Sequence, residues 1–163
     1  MPIIKGGDFV EDAFVTVPDG EPLPDGAAVI VGLERYRKER DALLATGKPL
    51  GVRLKSSESP ESLKDDLPRL AVIALEFPIF RDGRGFSWAR MLRTRLGYTG
   101  EIRAVGHFLY DQLAFLVRVG FDAFEVRQDF RREDFDRAMR EMHYVYQPSA
   151  DGRRTIIAER VKE

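Results

Sequence analysis

The octapeptide RDGRGFSW, residues 81–88, sets two arginines, an aspartate, two glycines and a serine at the approach to a helix. Gly83 and Gly85 permit backbone conformations that turn amide N–H groups toward one point. Ser87 reads as the N-cap of the following helix, where free N–H groups and the positive end of the dipole attract anions. Arginine adds planar, paired donors suited to carboxylate, sulfate or phosphate. From Arg81 to Arg103 there are six arginines against two acids, Asp82 and Glu101, a local balance of +4. The chemistry this pattern supports is oxyanion binding, with Asp82, Gly83, Arg84, Ser87, Arg103 and His107 as candidate residues. The same residues also suit a plain connection: a DG turn, a serine cap, and an Asp82 that neutralises Arg84.

His107 follows Gly106 at the end of an apparent strand, and histidine titrates near neutral pH, which suits acid–base work. It equally suits a polar residue at a helix start. Asp111 and Gln112 fall in the first turns of the next helix, where Asp111 complements the dipole and could pair with Arg84 or Arg103. Arg93, Gly106, Asp111 and Gln112 are read as supporting residues. Neither GxxxxGK[ST] nor GxGxxG after the first strand occurs, so both nucleotide fingerprints are missing. No HxH, HExxH or DxDxDG pattern supports a metal site, and His143 has no ligand-type neighbour.

These candidates need elements to hold them. Five apolar runs read as strands, AAVIVGL (27–33), PLGVRLK (49–55), LAVIALEF (70–77), EIRAVG (101–106) and DAFEV (122–126). Helical patterns over 35–47, 87–97, 107–120 and 132–142 follow four of them, and Ser59-Pro60 is a capped start after the second strand. This alternation predicts a single α/β domain with a mostly parallel five-stranded sheet flanked by helices. The first expectation is an open doubly wound sheet and the second a partial β/α barrel. Residues 1–26 read as an N-terminal β-hairpin and loop, 27–142 as the βα repeats, and 143–163 as an extension with two short extended pieces. Ligands of either architecture gather at the carboxyl ends of the strands, which is where RDGRGFSW and RAVGH lie.

With 44% hydrophobic and 33% charged residues the chain reads as globular and soluble. Its 26 basic and 27 acidic residues nearly cancel, which gives no support to nucleic-acid binding. The absence of cysteine excludes disulfides, thiol catalysis and cysteine-held iron–sulfur clusters within the sequence. No stretch approaches the roughly 20 apolar residues of a membrane span, and the start MPIIKGGDFVEDAF lacks the pattern of a signal peptide. A cytoplasmic setting is expected.

Residues 77–124 carry FP-x-F-x-DGRG-x-S, LR-x-R-x-GY-x-GE-x-RAVG, DQL and GFDAF. This run resembles the bacterial domain of unknown function 934 family, whose members often bear the label of an oxidoreductase involved in sulfite reduction. The resemblance implies a role in sulfur assimilation beside sulfite reductase. The family commonly has aspartate at the position of His107 and often cysteine at that of Val119. The expectation is an accessory protein of assimilatory sulfite reduction, which binds a small oxyanion or docks on sulfite reductase through the DGRG/RAVGH edge. The alternative is a small flavin- or nicotinamide-dependent oxidoreductase of the same pathway.

Overall fold

A computed structural model of the chain describes residues 1–141 and 144–160; His143 lies outside them. The five expected strands are present as β4 (Ala28–Gly32), β5 (Leu50–Leu54), β6 (Val72–Phe77), β7 (Glu101–Gly106) and β8 (Ala123–Glu125). Three short strands extend the sheet to eight: β1 (Ile3–Lys5), β2 (Asp8–Val10) and β3 (Phe14–Thr16). The order is β2-β1-β8-β7-β6-β5-β4-β3, and only β1 runs antiparallel to its neighbours.

This order corrects the doubly wound expectation. In a doubly wound sheet the strand order reverses once, which sends helices to both faces. Here β4 to β8 are adjacent in chain order, so right-handed crossovers place every intervening helix on the same face. The result is a curled half-barrel, the second of the two expected architectures, with three more strands than expected.

The N-terminal segment shows how far the sheet curls. The hairpin turns at Gly6-Gly7 and joins β8 at one edge, whereas Phe14–Thr16 pairs with β4 at the other. Val10 and Phe14 are four residues apart, a reach of about 14 Å at most. Seven strand spacings in a flat sheet would measure about 34 Å. The two edges therefore approach each other, and residues 11–13 cross the open side.

The helices α1 (Leu33–Ala45), α2 (Arg84–Thr94), α3 (Leu113–Val119) and α4 (Arg132–Glu141) accompany the sheet. The large core between helices and sheet includes Val31, Val52, Leu54, Ile73, Leu75, Phe77, Ile102, Ala104 and Phe124. Alternate residues face the hollow of the curl, where Ile30, Val72, Ala74 and Val105 form a smaller cluster with Phe14 against it.

Sequence periodicity placed several boundaries incorrectly. Residues 60–69 form two 3₁₀ turns, Pro60–Leu63 and Leu67–Arg69, because Pro68 cannot donate a helical hydrogen bond. Residues 107–109 are non-helical, and Tyr110–Gln112 is a 3₁₀ turn before α3. The C-terminal piece expected to be extended contains the short helix α5 (Ile156–Arg160). Among the described residues no helix is long and apolar enough to cross a membrane.

Gly106 ends β7 with φ 92°, and a Cβ there would lie 2.5 Å from the Phe77 carbonyl oxygen. That oxygen also accepts the His107 N–H at 2.7 Å, so the loops after β6 and β7 are locked together at this point. Gly106→Ala should cost on the order of 3 kcal/mol through strain and overpacking combined, read as a lowered midpoint in urea.

Candidate functional site

The loop after β6 folds differently from a helix approach capped by serine. Helix α2 begins at Arg84, with Gly83 as N-cap, so Ser87 lies inside the helix and exposed. Asp82 fills the role assigned to Ser87: its Oδ1 accepts the Arg84 N–H at 3.2 Å, an Asx-type start. Gly85 is there for packing, since a Cβ would come within 2.6 Å of the Phe77 ring.

Asp82 also closes on the Arg84 side chain. Nε donates to Oδ1 at 2.9 Å and an Nη to Oδ2 at 2.7 Å, while the same Nη reaches Ser56 Oγ at 2.9 Å. Trp88 Nε1 donates to the Ser56 carbonyl at 2.9 Å, so the loop is stitched to the end of β5. Hydrogen bonds from Arg84, then from Ser56, hold the Asp82 carboxyl far below the usual carboxylate range. A depressed carboxyl stabilises the fold above its unfolded pKa of about 4 and loses that contribution as pH falls through the folded value. Asp82→Asn should therefore lower the melting temperature at pH 7, and the gap to the parent should narrow steadily below about pH 4.

The remaining arginines of the basic run disperse. Arg103 lies in the hollow of the curl, 4% exposed, bound to Asp12 at 2.7 Å and Glu101 at 2.8 Å. Arg93 is at the opposite end of the sheet from Gly106, where it donates to the carbonyls of Gly120, Tyr98 and Gly100 and to the Asp122 carboxylate. Arg95 stands 3.9 Å from Glu61. Asp111 is exposed and meets neither Arg84 nor Arg103, whose carboxylates are Asp82, and Asp12 with Glu101. Gln112 is a strut: its Oε1 accepts the Leu109 N–H and its Nε2 donates to the Phe80 carbonyl, both at 3.0 Å.

What the structure does bring together is a cleft of about 1270 Å³ at the carboxyl ends of β6, β7 and β8. Gly106 and His107 line it, as expected from the RAVGH motif. Asp82, Gly83, Arg84, Ser87 and Arg103 do not. Its floor is apolar, with Phe108, Leu113, Val126 and Phe130, and Ile79, Phe80 and Leu109 stand exposed at its edge. Arg81 lies over the Phe80 ring, 5.3 Å from guanidinium carbon to centroid. Arg127 is on the rim with Asp129, and Arg53 reaches the wall from β5. Two or three cations above an aromatic floor can hold an anion that carries apolar surface.

Sequence reasoning did not single out Arg53, Phe80 or Phe130. Arg53 is one alternating position of a strand, and its place at the mouth follows only from strand order. Arg81 and Arg127 were legible as residues that follow strands, and only the curl shows that they share a cleft.

The sequence model of a family described as "Bacterial protein of unknown function (DUF934)" matches residues 51–157, which span β5 to α5 and so include most of the cleft. Neither a curated protein nor a solved structure matches the chain.

Proposed function

The chain belongs to this family of bacterial proteins of unknown function, and we propose that it is a cytoplasmic accessory protein of sulfite reduction that works through the mouth of its half-barrel. The mouth holds an anionic ligand, or docks on sulfite reductase, at the cleft between the β6, β7 and β8 loops. The observation that carries this reading is the convergence of Arg81, His107 and Arg127 on one apolar-floored cleft. The pathway rests on the motif resemblance of residues 77–124. The exposed Ile79, Phe80 and Leu109 give the docking form its support, since apolar side chains grouped at one edge favour a protein partner.

Arg84 is not the anion-binding group in this reading, because Asp82 and Ser56 already occupy its donors. Titration with sulfite, sulfate and phosphate tests the anion form: Arg81→Ala should weaken binding severalfold and Arg84→Ala should leave it unchanged. Loss of binding in Arg84→Ala alone overturns the placement. Co-purification with sulfite reductase that Ile79→Ser and Leu109→Ser together abolish would favour docking.

A second reading is a small flavin- or nicotinamide-dependent oxidoreductase. The volume favours it, since about 1270 Å³ exceeds what a bare oxyanion fills and reaches that of a cofactor-sized ligand. Added flavin mononucleotide or NADPH that leaves the melting temperature unmoved removes this reading.

A further inference from the structure

Two cavities open on the mouth, and Arg53 forms part of the wall of both. The smaller, about 260 Å³, lies among Thr16, Gly32, Lys55 and Glu76 over the ends of β3 to β6. On the concave face Arg53 has Gly32 of β4 and Ala74 of β6 as its register neighbours. Neither is large enough to cover a guanidinium, so the head group stays open to the trough that joins the cavities.

Arg53 is paired, but loosely. Its Nε lies 3.3 Å from Glu76 Oε2 and an Nη 3.3 Å from Oε1. Charge-assisted bonds of this type usually close to about 2.7–2.9 Å. Arg103, the other arginine of the same face, makes contacts of 2.7 and 2.8 Å. The side chains of Arg53 and Glu76 are 37% and 28% exposed, against 5% for Arg103. One interior arginine is locked into the fold, and the other stands at an open wall with a partner it can exchange.

We propose that Arg53 is the anion-binding group at the back of the trough, that Glu76 is the resting partner a ligand displaces, and that this ligand carries its anionic group on a flat apolar body. The proposal rests on the reading of the mouth as an anion site, and it adds the group and the ligand class. A phosphate, carboxylate or sulfur oxyanion takes the paired N–H groups that Glu76 holds at rest. The apolar body lies in the larger cavity against Phe80, Phe108 and Phe130. Lys55, in the wall of the smaller cavity with Glu76, offers the released carboxylate a second cation.

Calorimetric titration of the full chain with phenyl phosphate and with inorganic phosphate tests this, with thermal melts to confirm that each variant is folded. Phenyl phosphate should bind about tenfold more tightly than inorganic phosphate, because its ring leaves water. Arg53→Met should weaken phenyl phosphate at least tenfold, Arg53→Lys should restore part of the loss, and Glu76→Gln should tighten binding severalfold. Equal affinity for the two phosphates overturns the ligand class. Unchanged affinity in Arg53→Met overturns the role of Arg53 and leaves the anion reading of the mouth standing. Absence of binding of either phosphate to both the parent chain and Glu76→Gln overturns both.

Discussion

Arg103→Met should destabilise the protein by about 3–5 kcal/mol, the cost of breaking a buried ion network from one side. Arg103 binds Asp12 and Glu101, and Glu101 in turn accepts from Lys5 Nζ at 2.8 Å. The network joins β7 to β1 and to the segment that crosses the open side of the curl. Asp12 also accepts the Phe14 N–H at 3.1 Å, and the Phe14 ring lies 5.8 Å from the Arg103 guanidinium carbon. One arginine thus anchors the crossing segment to the centre of the sheet. At about 2–4 °C per kcal/mol for a chain of this size, the melting temperature should fall by roughly 10 °C. Asp12→Asn should cost far less, about 1 kcal/mol, because Arg103 keeps Glu101. Residues 11–13 should also become more open to proteolysis in Arg103→Met. A melting temperature within about 2 °C of the parent would show that the curl closes without this network.

Arg93→Ala should be the next most damaging change, at about 3 kcal/mol or roughly 6–12 °C. The side chain donates to Gly120 at 3.0 Å, Tyr98 at 2.7 Å and Gly100 at 2.8 Å, and ion-pairs with Asp122. Those partners lie in the turn before β7 and the turn before β8, so one guanidinium holds the entry points of two adjacent strands. Asp122 is itself committed, since its Oδ2 accepts the Ile102 N–H at 2.8 Å. Truncation leaves three carbonyls short of a donor and a carboxylate short of its cation. Lysine cannot reproduce a planar fork across several acceptors, so Arg93→Lys should recover less than half of the loss. Full recovery by lysine would mean that charge alone, and not the fork, supplies the stability.

The five apolar strands were legible because each is a run too apolar for a surface, and Gly120 closes α3 as its position suggested. Strand order was not legible, because alternation reports what each segment is and not which segment it pairs with. The pairs that define the hollow illustrate the difficulty. Asp12 and Arg103 are 91 residues apart, and Arg53 and Glu76 are 23 apart; each pair meets only after the sheet has curled. The basic run from Arg81 to Arg103 looked like one site because its charges are close in sequence. A helix and a strand intervene, and they send Arg93 to one end of the sheet, Arg103 to its hollow and Arg81 to the mouth. Ser87 was misplaced for a local reason: Asp82 can serve as the helix start three residues earlier, and Gly85 lets that first turn lie against Phe77.

The claim on which the functional account depends is that an anion binds in the mouth of the half-barrel and not at the DGRG turn. A crystal structure of the full chain soaked with phenyl phosphate tests it directly. The expected result is phosphate density within hydrogen-bonding distance of Arg53 or Arg81, with the ring against Phe80 and Phe108 and the Asp82–Arg84 pair unbroken. Density at Arg84 with that pair opened, or an empty mouth at saturating ligand, would contradict the account.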